Sequence, residues 1–170
     1  LFGGVEAMLD AEYVSSMAHN VSTEFWGFTG RAPGSHGENE PFLEWLLLLS
    51  NTSDADAPKV ISTSYGEDED SVEPAYAERL NVEFAKAGAR GISLLFASGD
   101  SGAHGEADCP GGKYQPQWPG VSPYVTSVGG TTGQPEIAVG LSSGGFSNRY
   151  PMPEWQRDAV KAYLSQPDIP

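Results

Sequence analysis

Apolar positions along the chain follow two different periodicities, which predicts a succession of helices and strands. A β-branched run at 59–64 predicts a strand, and an apolar run at 92–97 predicts a buried strand; each ends in small or polar residues. Between them, residues 72–90 are rich in helix formers and end at Gly91. Strand, helix and strand in this order predict two parallel neighbours joined by a right-handed crossover. We therefore expect an α/β fold.

The same patterns predict further elements on both sides of this unit. Helices are expected at 5–14, 42–50 and 153–164, a third short strand at 123–130, and an extended segment at 137–141. Segments 27–40, 102–118 and 142–147 are rich in small or polar residues and predict loops. The acidic run 67–70 is expected to lead into the 72–90 helix, where carboxylates complement the helix dipole. No internal repeat or linker divides the chain, so we expect one domain over 1–170.

Composition narrows the classes of partner. The 170 residues include 9 basic and 23 acidic residues, for a net charge of −14, which disfavours nucleic acid and anionic membranes as partners. The longest apolar run, 46–49, is far shorter than the roughly 20 residues that span a bilayer. Cys109 is the only cysteine, and His19, His36 and His104 are scattered, so we expect no metal site.

Polar residues follow both central strands. Ser64, Tyr65 and Gly66 follow the first, while Ser98, Gly99 and Asp100 follow the second. Because the carboxyl ends of parallel strands share one edge of a sheet, where ligands gather, Asp100 is a candidate for chemistry. The alternative is that Asp100 only forms an Asx-turn with its own backbone.

A second pair of acids lies in the first helix. Glu6 and Asp10 are four residues apart and share a helical face, where like charges cost a few tenths of a kcal/mol. Either the two carboxylates face solvent, or they are placed together for a function. The Gly-Asp-Ser-Gly sequence at 99–102 also surrounds the nucleophile of trypsin-like proteases, but those are paired β-barrels with several disulfides, which this pattern excludes.

Four segments in order, 2–10, 64–66, 96–102 and 122–131, resemble the sedolisins, and the resemblance covers nearly the whole chain. Sedolisins are serine-carboxyl peptidases with a subtilisin-like α/β fold, a parallel sheet flanked by helices, and they work in acid. The resemblance implies Glu6 as general base, Asp10 as its support and Asp100 in the oxyanion hole. It also implies that the peptide substrate contacts the two strand-end segments (Ser64, Tyr65, Gly66, Ser98, Gly99).

The resemblance also implies what this chain lacks. The family carries its nucleophile in a Ser-Gly-Thr-Ser segment that no serine here matches, so residues 1–170 are expected to be the N-terminal part of a catalytic domain. Calcium and a cysteine partner for Cys109 are expected in the remainder of that domain. The implied activity is release of tripeptides from free N termini or cleavage as an acid endopeptidase. The implied location is the lysosome, or a secreted or otherwise acidic compartment.

Two Asn-x-Ser tripeptides favour a secretory route. Asn20 and Asn51 each begin one, and each is expected next to the transition from a helix to a loop, where a glycan fits. A non-catalytic glycosylated interaction protein that retains a peptidase-like fold is the alternative to the enzyme.

Overall fold

The computed structural model describes residues 4–28, 30–32, 39–104 and 114–167. This part of the chain forms four helices and seven strands. The helices are α1 (Val5–Met17), α2 (Phe42–Asn51), α3 (Pro74–Ala89) and α4 (Arg157–Leu164). The strands are β1 (Val60–Thr63), β2 (Glu67–Asp68), β3 (Ser93–Ala97), β4 (Gln117–Trp118), β5 (Thr126–Val128), β6 (Thr131–Thr132) and β7 (Ile137–Ala138). Short 3-10 turns at Glu69–Ser71 and Glu154–Gln156 precede α3 and α4.

The central sheet has the order β1-β3-β5 with parallel pairing throughout. Val60 to Thr63 pair with Ser93 to Phe96, and Leu95 to Ala97 pair with Thr126 to Val128. The predicted strand, helix and parallel strand are therefore confirmed. The predicted strand at 123–130 is shorter in the structure, and the extended segment at 137–141 forms β7, which pairs with β6 in antiparallel register.

The core lies between the sheet and helices α2 and α3. Phe96 of β3 is 1% exposed and lies at its centre, with ring centroids 5.9 Å from Phe42, 6.5 Å from Trp45 and 5.6 Å from Phe84. Removing this apolar surface from water is the main favourable contribution to folding. Phe96 directly precedes Ala97 and Ser98, so its packing in the core fixes the position of the polar residues that follow β3.

The acidic run 67–70 does not have the predicted role. Helix α3 begins at Pro74 and has no acidic residue in its first turn. Instead, Glu67 and Asp68 form β2, which pairs in antiparallel register with β4, and Glu69 is 1% exposed. Gln117 and Trp118 of β4 are buried as well, although the sequence pattern placed them in a loop. Long-range strand pairing has therefore overridden the local preference of acids for solvent.

Candidate active site

The carboxyl ends of β1 and β3 lie side by side. Thr63 pairs with Phe96 in parallel register, so the segments that follow the two strands leave the sheet at the same edge, as predicted. Tyr65 is 54% exposed there, whereas Gly66 fits closely, since a Cβ on it would lie 2.7 Å from the Trp118 carbonyl oxygen. This edge therefore presents polar groups on a backbone that is packed against β4.

Helix α1 is connected to this edge through Asp10. The Ser64 hydroxyl donates a hydrogen bond to Asp10 Oδ1 at 2.8 Å. Glu6 lies one turn earlier on the same helical face, and both acids are partly shielded from solvent. None of the α1 residues is buried, so the helix lies on the surface of the described chain. The contact joins α1 to the segment after β1, which the local sequence patterns did not predict.

Gly99 has a conformation and surroundings that require glycine. Its φ is +102°, and a Cβ there would lie 2.6 Å from Gln117 Cγ and 2.9 Å from Ser143 Oγ. The preceding Ser98 is buried, and its N–H donates to the Val128 carbonyl at 2.9 Å. The turn after β3 is therefore held by β5 on one side and by the 142–145 segment on the other.

Asp100 follows this turn and is exposed. The Gly102 N–H, which an Asx-turn of Asp100 would use, instead donates to the Leu141 carbonyl at 2.8 Å. No hydrogen bond or ion pair joins the described carboxyls of Asp100, Glu6 and Asp10 to one another. The Asp100 carboxyl is therefore exposed and does not form an Asx-turn with the Gly102 N–H.

A cleft of about 280 Å³ opens beside Ser98. Its lining is formed mainly by small residues from the strand ends and their loops, namely Ser98, Gln117, Gly120, Val121, Ser127, Gly129, Ser143, Gly144 and Gly145. The sequence pattern indicated only Ser98 among them and gave 142–147 as a flexible loop. The structure holds this segment by hydrogen bonds, with the Ser143 N–H donating to the Gly99 carbonyl at 2.9 Å.

The remaining predicted residues lie away from this cleft or outside the described residues. Asn20 and Asn51 are both exposed, and the Asn51 side-chain amide donates to the Leu47 carbonyl at 2.8 Å. Cys109 lies outside the described residues. Within the ranges that are described, no three His, Cys, Asp or Glu side chains converge to hold a metal ion. Nor does any helix there combine the length and apolar character needed to cross a membrane.

Comparison with known proteins gives close relatives over almost the whole chain. It is 49% identical to tripeptidyl-peptidase 1 of Canis lupus familiaris and 48% identical to that of Homo sapiens, in each case over 98% of this chain. The chain spans 30% of the length of these relatives. No family model matches.

The structural comparison agrees with this relationship. A Pseudomonas sedolisin, described as a serine-carboxyl proteinase complexed with pseudo-iodotyrostatin, superposes with a TM-score of 0.59 at 20% identity. The match covers 92% of this chain and 58% of that one, and it shows a shared fold with a parallel sheet flanked by helices. The identity to the tripeptidyl-peptidase 1 relatives extends over 98% of this chain, and with the shared sedolisin fold it shows that the chain belongs to the sedolisin family.

Proposed function

We propose that the protein containing this chain is a serine-carboxyl peptidase that works in acid and releases tripeptides from free N termini. The observation that carries the proposal is the hydrogen bond from Ser64 to Asp10. It attaches the acid pair of α1 to the sheet edge from which Asp100 emerges, so all three carboxyls belong to one end of the fold. The identity to tripeptidyl-peptidase 1 supports the substrate class.

Glu6 is the proposed general base. A carboxylate with an ordinary pKa of about 4 can accept a serine proton in acid, where an imidazole would already be protonated. Asp10 lies one helical turn away on the same helical face and is the proposed support of Glu6. The Ser64 hydroxyl satisfies one Asp10 oxygen and orients the carboxyl.

Asp100 is the proposed donor of the oxyanion hole. In its protonated form, its carboxyl donates a hydrogen bond to the oxygen that becomes negative when the peptide carbonyl is attacked. One such donor contributes about 3 kcal/mol of transition-state stabilisation in comparable sites. The flanking strand-end segments hold the peptide chain beside it (Ser64, Tyr65, Gly66, Ser98, Gly99).

Other parts of the longer protein complete this site. The chain spans 30% of the relatives' length, and the nucleophilic serine, the calcium site and the cysteine partner of Cys109 are proposed to lie in the remainder. The remainder of the catalytic domain is thus the main protein partner of this segment. Glycans at Asn20 and Asn51 and an acidic compartment, such as the lysosome, complete the proposal.

The test uses the full-length protein and a tripeptide amide with a free amino terminus. We expect hydrolysis at about pH 4, little hydrolysis of the N-acetylated substrate, and loss of at least about 100-fold in kcat for Glu6→Gln and for Asp100→Ala. Glu12→Gln is the matched control, since Glu12 is exposed on the same helix as Glu6. A full-length protein that binds the peptide without cleaving it would support the interaction protein instead.

A further inference from the structure

Glu69 is a buried carboxylate that the proposed catalytic steps do not use. It is 1% exposed and lies in the 3-10 turn after β2. One carboxylate oxygen accepts a hydrogen bond from the Ser147 hydroxyl, and the other accepts one from the Asn148 N–H at 2.7 Å. A buried charge is costly unless both oxygens are satisfied, so this pair of hydrogen bonds has to be kept in the folded protein.

Ser147 must be the donor in its hydrogen bond with Glu69. Its Oγ accepts hydrogen bonds from the N–H groups of Arg149 at 3.0 Å and Tyr150 at 2.8 Å. A serine hydroxyl has two acceptor lone pairs and a single proton, so only its proton is left for Glu69. Position 69 therefore needs an acceptor at both terminal atoms. A carboxylate provides two, whereas a glutamine amide provides one.

Residues 143–145 form one wall of the cleft. The chain continues directly from this wall to Ser147 and Asn148, which are hydrogen-bonded to Glu69. At the upstream end of this wall, the Ser143 N–H donates to the Gly99 carbonyl at 2.9 Å, and the Ser143 Oγ accepts from the Ser101 N–H at 3.1 Å. Glu69 holds the chain at Ser147 and Asn148, just beyond the C-terminal end of the wall. Two of the three wall residues are glycines, and a Cβ on Gly144 would meet no atom within 4 Å, so the wall has little side-chain packing of its own.

We propose that Glu69 is a positioning residue that sets the distance of the 143–145 wall from Gly99 and thereby the fit of the peptide in the cleft. The inference rests on the proposed peptidase function for its ligand. Glu69 acts through the backbone of the 143–148 segment and does not itself contact the reacting atoms. A displacement of about 1 Å in such a wall is sufficient to reduce the rate by 10- to 100-fold.

The experiment compares Glu69→Gln with wild type in the full-length protein at about pH 4. We expect the KM for the tripeptide amide to rise at least about tenfold, together with at least tenfold faster hydrogen exchange of the Ser143 amide. Glu73→Gln is the matched control, because Glu73 is an exposed acid nearby that makes no side-chain cap. Unchanged KM and unchanged Ser143 exchange would overturn the proposal, even if the thermal midpoint falls.

A second variant keeps the inference testable if Glu69→Gln does not fold. Ser147→Ala removes one of the two donors to Glu69, and we expect the same rise in KM and in Ser143 exchange, but smaller. Because amide exchange needs no turnover, it tests the wall even if the wild-type protein proves inactive. Inactivity would then contradict the proposed peptidase function, while unaltered exchange would contradict the role of Glu69.

Discussion

Ser64 and Asp10 are joined by a hydrogen bond of 2.8 Å between residues 54 positions apart in the sequence. The donor follows β1, whose residues are exposed or partly exposed, and the acceptor lies on a helix that has no buried residues. This contact joins the helix that carries Glu6 and Asp10 to the sheet edge. The position of the proposed base thus depends on a residue that takes no part in the chemistry.

Replacement of Ser64 by alanine tests this dependence. A hydrogen bond to a charged group contributes about 1.5–3 kcal/mol, so we expect Ser64→Ala to lower kcat/KM of the full-length protein by at least about tenfold. Ser62→Ala is the control, since Ser62 is an exposed residue of β1, the strand that Ser64 follows. Equal kcat/KM in the two variants would show that α1 is positioned without this bond.

Gly99 is predicted to tolerate no side chain. Gly99→Ala combines an unfavourable φ of +102° with a Cβ 2.6 Å from Gln117 Cγ, so we expect a loss of about 2–4 kcal/mol in the free energy of unfolding. Gly140→Ala provides the comparison, because a Cβ there meets no atom within 4 Å. Chemical denaturation of both variants measures the difference. A Gly99→Ala variant as stable as Gly140→Ala would contradict the close packing of this turn.

The order of the main elements could be predicted because it is encoded locally. A β-branched run gives β1 and an apolar run gives β3, each followed by small or polar residues, and the glycine after α3 marks the end of that helix. Their parallel pairing follows from the crossover between them. The common edge of Ser64 and Asp100 follows from these facts alone, so the region of the candidate site was predictable.

The walls of the cleft were not predictable from local patterns. Strands β2 and β4 have two residues each, too few to show any periodicity. Glu69 is buried by a partner 78 positions away, and acidic residues are ordinarily exposed, so the helix dipole was the simpler local explanation. Contacts of this kind depend on the assembled fold, which no window of sequence contains.

The core residue Phe96 links the stability of the fold to the geometry of the edge. Phe96→Ala removes a ring that packs against Phe42 and Phe84, and we expect a loss of about 3–5 kcal/mol in the free energy of unfolding. Phe25→Ala serves as the control, since Phe25 is 65% exposed and should change stability by no more than about 0.5 kcal/mol. Equal effects in denaturant titrations would place Phe96 outside the core.

Glu83 is predicted to stabilise the fold at pH values above its lowered pKa. It is 1% exposed, and burial alone would raise its pKa. Hydrogen bonds from Lys86, Arg79 and Ser50 outweigh burial and lower the pKa of Glu83 from 4.5 to about 2. A carboxyl with a lowered pKa in the folded state contributes stability above its unfolded pKa, and that contribution is lost as pH falls toward the folded value.

The consequence is a specific pH dependence for Glu83→Gln. Wild type should exceed the variant by on the order of 3 kcal/mol above about pH 5, with the difference shrinking between about pH 4.5 and 2. Most of the contribution is therefore retained at the acidic pH proposed for catalysis. Urea denaturation between pH 2 and 6 measures this difference, with Glu78→Gln, an exposed acid on the same helix, as the control. A difference that stays constant across this range would show that the Glu83 charge does not stabilise the fold.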